Sequence, residues 1–393
     1  MRILPVLLAA ALMIHGQSEI GRSPNLFPGD LAVLESEEAH KDMACTVTPE
    51  KALLGFDMKF HSGFNVELPM RDLVGPANML SIVFRVAPKD HLQDPLYFQQ
   101  RIRVPAITSD RGSAALDGKF DVGEGSYHVD WLLRDYSGRA CSTSWDFDAV
   151  LTYKDHEVKL VLARGTVRAA EQDQFQPEPP AVHAPDESPL NIKVLMNFAP
   201  QQPDSVALAP PDQLALVSIL RDLARSPRIG SFSLVVFNLE QQRVFYRQNS
   251  GDRIDFPTLG KSLNRANLGT IEASQLQKKH ADTDFLAELC KTETADSHLD
   301  GLIFAGPKAM LDANVSDDEL KRIGGLDYPV FYLNYNPNPS AIPWRDSISR
   351  VVSFFKGHEY TITGPRDLFN AVTEVMSRIA KSRQLRLRAS TGP

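Results

Sequence analysis

Between Gln176 and Pro189 the chain carries Pro177, Pro179, Pro180, Pro185 and Pro189 among Glu and Asp residues, with few large apolar side chains. Proline fixes φ and removes a backbone donor, so neither a helix nor a central strand can run through such a stretch. It also stiffens the chain into an extended path. The segment therefore predicts a spacer over residues 171–190 with a folded unit on each side. The chain has 393 residues, 43% of them hydrophobic and 23% charged, which gives each side enough material for a core of its own. No internal repeat is present.

Upstream of the prolines, apolar residues alternate with period two. The runs are Leu54, Phe56, Met58, Phe60; Phe64, Val66, Leu68; Leu80, Ile82, Phe84, Val86; and Tyr127, Val129, Trp131, Leu133. Two more are Trp145, Phe147, Ala149, Leu151 and Val158, Leu160, Leu162. Each is the mark of a half-buried strand, and so many predict an all-β sandwich over residues 45–170. Asp135-Tyr136-Ser137-Gly138 predicts a hairpin turn. Gly123-Glu124-Gly125-Ser126-Tyr127 resembles the tyrosine corner of immunoglobulin-like sandwiches. Trp131 and Trp145 are in phase with core residues, which favours packing over a carbohydrate-stacking surface. Cys45 and Cys141 both fall here and are expected to pair, while Cys290, on an apolar helical face within Asp284–Lys291, is expected to stay a buried thiol.

Downstream the rhythm changes. Ile192–Phe198 reads as a strand, Pro211–Ala224 as a helix, and Phe232–Phe237 with Val244–Tyr246 as a hairpin. Helix Asp284–Lys291 and strands Gly301–Ala305, Tyr328–Leu333 and Val351–Phe355 follow. A final helix starts at Pro365, with Leu368, Phe369, Val372, Met376 and Ile379 along one face. This order predicts an α/β, Rossmann-like domain over residues 191–382 and resembles the von Willebrand factor type A domain, as found in degenerate form in secreted bacterial proteins. In that family the first strand ends in Asp-x-Ser-x-Ser, a loop adds Thr and a later strand end adds Asp, together holding a divalent metal. The matching positions here are Asn197, Ala199, Gln201, Thr270 and the Ala305-Gly306-Pro307 strand end. Only the threonine is kept, so the resemblance implies no bound metal, and no cofactor is expected. Asp204 and Asp300 are the nearby acids if that alignment slips by several residues.

At the start of the chain Arg2 precedes an uncharged run, Ile3–Ile14, too short to span a bilayer. This predicts a signal peptide over residues 1–18, cut near Gln17–Glu19, then an extension over 19–44. The expected location is secreted or periplasmic, with no transmembrane segment after cleavage. A net charge of -7 argues against a nucleic-acid partner. Lys381, Arg383, Arg386 and Arg388 read as part of a frayed basic end, with a tail over 383–393.

No catalytic motif is complete in the sequence. Gly260-Lys261-Ser262 lacks the preceding glycine of a phosphate loop. His156-Glu157 and His358-Glu359 lack the second histidine of a zinc-protease helix. His280, Asp282 and Asp284 precede a helix, where acids meet its N-terminal dipole. No Gly-x-Ser-x-Gly elbow or Cys-x-x-Cys pair occurs. The richest surface signal is Asn334-Tyr335-Asn336-Pro337-Asn338-Pro339, followed by Pro343-Trp344-Arg345-Asp346. It follows a buried strand, where open α/β sheets take ligands, and places Asn197, Thr270 and Tyr335 around one crevice. The function expected is that of an exported, non-catalytic protein that binds a protein or glycan partner. The alternative is an exported hydrolase or transferase using the same face.

Overall fold

A computed structural model describes residues 13–22, 26–36, 39–171, 173–179, 181, 189–201, 208–267, 281–295, 298–308 and 315–390. The chain divides into two units, Met1–Glu171 and Gln172–Pro393.

The first unit contains β1 (Met13–Gly21), α1 (Pro28–Ser36), β2 (Thr46–Leu54), β3 (Phe60–Pro69), β4 (Asn78–Pro88) and β5 (Leu96–Val104). It continues with β6 (Ser113–Val122), β7 (Gly125–Asp135), β8 (Ala140–Ala149) and β9 (Val167–Ala169). These strands form two sheets, β1-β5-β4-β7-β8 and β2-β3-β6-β9. The period-two residues of β3, β4 and β7 supply the core, where Phe64 meets Phe84 and Trp131 edge-on at 5.2 and 5.6 Å. Trp131 is fully buried and Trp145 packs against the same core. The Tyr127 hydroxyl donates to the carbonyl of Gly123 at 2.8 Å, tying the start of β7 to the turn before it.

Several local readings change. Leu54, Phe56, Met58 and Phe60 do not share one strand: Leu54 ends β2, Phe60 begins β3, and Phe56 and Met58 lie in the turn between them, where Met58 has φ +59°. Val158, Leu160 and Leu162 are not in a strand; that stretch is turn and loop, and only Val158 among the three is fully buried. Residues 19–44, expected as an extension, supply α1, whose Leu34 packs on Val83, Tyr97 and Leu132. Asp30 of α1 is ion-paired with Arg134. Of the expected signal peptide, residues 1–12 lie outside the described residues, and Met13–Ser18 belong to β1, which runs antiparallel to β5.

The second unit contains β10 (Leu190–Asn197), α2 (Pro210–Ala224), β11 (Ile229–Asn238), β12 (Arg243–Gly251), α3 (Phe256–Asn267) and α4 (Ala281–Thr294). Beyond them are β13 (Gly301–Pro307), α5 (Asp317–Ile323), β14 (Val330–Tyr335), α6 (Ser347–Phe354), β15 (His358–Ile362) and α7 (Pro365–Ser390). The sheet order is β12-β11-β10-β13-β14-β15, with β12 antiparallel to β11 and the remaining pairs parallel. Val351–Phe355, read as a strand, is instead the end of α6 and its cap, and the last strand lies at His358–Ile362. Asp346 starts that helix by accepting from the Ser349 backbone N–H at 2.8 Å.

The α/β expectation for the fold class is corrected. Three sheets carry the chain, and 38% of the described residues lie in strands against 27% in helices, so the protein is mostly β. The expectation took its class from the helices of the second half, which correspond to α2, α4 and α7, whereas eight strands of the first unit run 9 to 11 residues and the second unit adds six more, and together these outweigh the helices. Neither a Rossmann-like nor a type A-like assignment is retained.

The proline-rich stretch and the C-terminus also differ from a free spacer and a frayed tail. Glu178 is buried against α2, paired with Arg221 and Arg225, and Arg221 also donates to the carbonyls of Gln174 and Gln176. Residues 174–178 thus lie on the second unit. α7 continues to Ser390, and Arg386 and Arg383 reach Asp300 at 3.0 and 3.5 Å. Their charge is spent on an acid instead of being left to solvent.

Candidate functional site

The C-terminal ends of β10, β13 and β14 bring together most of the residues singled out from the sequence. Asn197 ends β10 fully buried, and its carboxamide is committed. Its Nδ2 donates to the Pro307 carbonyl at 3.3 Å, and its Oδ1 accepts from the Ala199 and Leu239 backbone N–H groups, each at 3.2 Å. Gly306 has φ +126°, and a Cβ there would collide with the Asn197 carbonyl. The close approach of β10 and β13 therefore excludes an aspartate at this position. Gln201 reaches Asn336 across the same edge at 3.4 Å. Tyr335 is buried, and its hydroxyl donates to Asp212 at the start of α2 at 2.8 Å. Burial, then that bond to a carboxylate, pushes its phenol above the ordinary range.

Asn197 and Tyr335 stand at the same end of the sheet, on strands separated by β13. Thr270 lies outside the described residues, as do His280 and Asp204. Asp300 is at the opposite end, before β13, where it accepts from the Asn191 N–H at 2.9 Å and holds the two arginines of α7. It is no substitute ligand at the strand-end face.

The loop leaving β14 is fixed by its own hydrogen bonds. Asn336 donates through its backbone to Ile362 at 3.0 Å and through its side chain to Ile342 at 3.1 Å. Ala341 and Ile342 both donate to the Asn338 carbonyl, and Lys308 donates to the carbonyls of Ile342 and Trp344. Asp346 closes the loop, taking the Tyr332 hydroxyl at 3.2 Å as well as the α6 cap. On this fixed loop Trp344 is 42% exposed, with Arg345 exposed beside it. An aromatic ring and a guanidinium on a rigid loop suit recognition, because little side-chain or backbone freedom remains to be lost on binding.

A second polar constellation lies in the first unit and was not foreseen. His61 on β3 faces Asp121 on β6 directly across the sheet. Its Nδ1 is 2.8 Å from Asp121 and its Nε2 is 2.9 Å from Asp57, in the turn after β2. The Lys59 ammonium stands 2.7 Å from Glu171, 3.5 Å from Asp121 and 3.7 Å from Asp57. Burial works against a charged His61, but hydrogen bonds to Asp121 and Asp57 and their charges prevail, raising its pKa to about 10. Asp57 is likewise held below the ordinary carboxylate range: burial opposes this, and the bond to His61 outweighs it.

Asp57, His61 and Asp121 are the group among the described residues whose ligand atoms lie close enough together, within 4.8 Å, to hold a metal ion. As an imidazolium, His61 has no lone pair to offer, and Lys59 already supplies a cation. A metal would have to displace both a proton and that ammonium. The chemistry of the donor set is therefore that of an ion cluster. Gly55 makes room for it, since a Cβ there would strike the His61 ring.

The remaining motif residues are accounted for structurally. His156 sits in an exposed loop, bonded to the Tyr153 carbonyl at 2.7 Å. The ring of His358 meets Arg378 at 2.8 Å. Gly260-Lys261-Ser262 lies inside α3, with Gly260 packed against Phe175. Cys45 and Cys141 form a disulfide, and burial pushes the free Cys290 thiol up to about 12.

No family model and no curated protein matches the chain. Among solved structures, a Northeast Structural Genomics Consortium target shares 10% identity over 30% of this chain and 96% of that one, with a TM-score of 0.19. A calcium-binding mutant of Bacteroides uniformis β-glucuronidase 2 shares 10% identity over 79% of this chain, with a TM-score of 0.19; the match spans only 38% of the glucuronidase. The N-terminal xylanase 10B modules of Clostridium thermocellum share 8% identity over 86% of this chain and 96% of that one, at 0.18. Likenesses this slight carry no argument about fold or activity.

Proposed function

We propose that this protein is exported and acts by binding, with the Asn336–Asp346 loop of the second unit as its recognition element for a protein or glycan partner. The observation that supports it is the pairing of a hydrogen-bonded loop with an outward-facing Trp344 and Arg345. The polar groups beneath that loop serve the fold. Asn197, Tyr335 and Asp346 each bind another part of the second unit, whereas a catalytic site needs a nucleophile or base aimed at substrate. Trp344→Ala is expected to weaken partner binding about thirtyfold, roughly 2 kcal/mol, with the unfolding midpoint unchanged. Glycan-array binding and capture from the envelope fraction, wild type against variant, measure this. Turnover of a hydrolase or transferase substrate panel that survives the Trp344 change would sink the binding reading.

Export rests on the Ile3–Ile14 run, and the disulfide is consistent with an oxidising compartment. No helix among the described residues is long and apolar enough to cross a membrane. The mature N-terminus is expected near Gln17–Glu19, which would remove the part of β1 that pairs with Arg101, Ile102 and Arg103. N-terminal peptide mapping of native material checks this, and an intact Met1 would refute it.

A further inference from the structure

A cavity of about 440 Å³ opens in the second unit between the C-terminal ends of α5 and α6, where the chain turns into β14 and β15. It lies at the other end of the sheet from the Trp344 loop. Leu326, Phe354 and Phe355 wall it; all three are half-buried against the core, and the two phenyl rings meet edge-on at 5.3 Å. Gly324 and Gly325 border it with open space where a Cβ would stand. Lys321 and Lys356 complete the lining, and no carboxylate belongs to it.

Two ammonium groups stand at this opening, offset by a partial charge of about -0.5 at the end of each of α5 and α6 and by the Asp318 carboxylate beside Lys321, so an anion gains here only by taking the place of Asp318. Lys321 has one exposed partner, Asp318 at 3.1 Å, which a bound anion can replace. Lys356 makes no ion pair among the described residues. Its backbone is left-handed, φ +56°, a conformation that favours glycine, and yet a lysine stands there. The pocket is open to solvent on one side, and an apolar wall with a few placed charges is the usual composition of a small-molecule site.

We propose that this cavity binds a small organic anion with an aromatic or alkyl body, its acid group between Lys321 and Lys356 and its body against Leu326, Phe354 and Phe355. The probe is anilinonaphthalene sulfonate, titrated into the full chain and followed by fluorescence. Saturable one-to-one binding is expected, weakened at least tenfold in Lys356→Gly, a variant whose backbone suits glycine and so keeps the fold. Lys321→Gln is expected to shift binding the same way, and circular dichroism melts confirm that both variants are folded. Competition by decanoate or by an aryl carboxylate tells an alkyl from an aromatic body. Absence of saturable binding, or equal binding in wild type and both variants, overturns the proposal.

Discussion

Asp121→Ala is expected to lower the stability of the first unit by about 3 kcal/mol, the lower end for removing one partner from a buried ion pair. Its side chain is 2% exposed and serves His61 and Lys59 together. Lys59 keeps Asp57 and Glu171, and His61 keeps Asp57, which is why the larger penalty for a wholly orphaned charge does not apply. The same cluster sets a pH dependence. His61 has a raised folded pKa, so its contribution is complete below about 6.5, its ordinary value, and is lost as pH rises toward about 10. Asp57 has a lowered folded pKa, so its share is present above its ordinary value of 3.8 and is lost as pH falls through the folded value. With the His61 side chain 36% exposed, solvent screening leaves an effect of about 1–2 kcal/mol between neutral and pH 10. Urea unfolding followed by tryptophan emission in a Trp344→Phe background reports on Trp131 and Trp145, both in the first unit. An Asp121→Ala midpoint equal to wild type, or an alkaline loss that persists undiminished in His61→Gln, would show that the cluster does not stabilise the unit.

Elements with one buried face were legible in the sequence because burial imposes a period on the residues. Phe64, Val66 and Leu68 alternate since β3 has a core on one side only. The same test over-reads where alternation has no backbone partner. Val158, Leu160 and Leu162 alternate too, but the edge of β6 is already taken by β9, and their stretch is tied in by turn bonds and one from Val161 to the Met58 carbonyl. Val351–Phe355 misled for another reason: Val, Phe and Ser suit a strand locally, while Ile348, Val351 and Val352 recur at helical spacing behind the Asp346 cap. Composition misjudged Glu178, since proline predicts an extended path but says nothing of whether that path lies on a helix bearing Arg221 and Arg225.

The sites divide in the same way. Asn197 and Tyr335 were placed at a sheet end from strand order, but their hydrogen bonds with Pro307, Leu239 and Asp212 decide what they do, and those contacts are set by tertiary approach. His61 and Asp121 lie 60 residues apart in sequence and directly opposite in register, so nothing local links them. The one sequence signal was a cluster of charge in a strand entrance, Asp57, Lys59 and His61, where alternation would have allowed a plain solvent face.

Loss of the Cys45–Cys141 disulfide is expected to destabilise the first unit by about 2–5 kcal/mol. Cys45 lies just before β2 and Cys141 within β8, so the bond joins the two sheets of the sandwich across 96 residues of sequence. In the chain-entropy view, a loop of that length restricts the unfolded chain by up to about 4.7 kcal/mol. The native contacts are less at risk. Cys141 is 5% exposed and paired in register with Leu133, and alanine at both cysteines removes only the two sulfur atoms and leaves that backbone pairing in place. Most of the loss should therefore come from a freer unfolded state, so the native structure of a Cys45→Ala, Cys141→Ala double variant should be kept while its unfolding midpoint falls. Wild type treated with reductant should match that variant, and the variant itself should not respond to reductant. Cys290 provides the internal control, because a fully buried thiol with a raised pKa resists alkylation until the second unit unfolds. Equal midpoints for oxidised and reduced wild type would mean that the two sheets hold together without the bond.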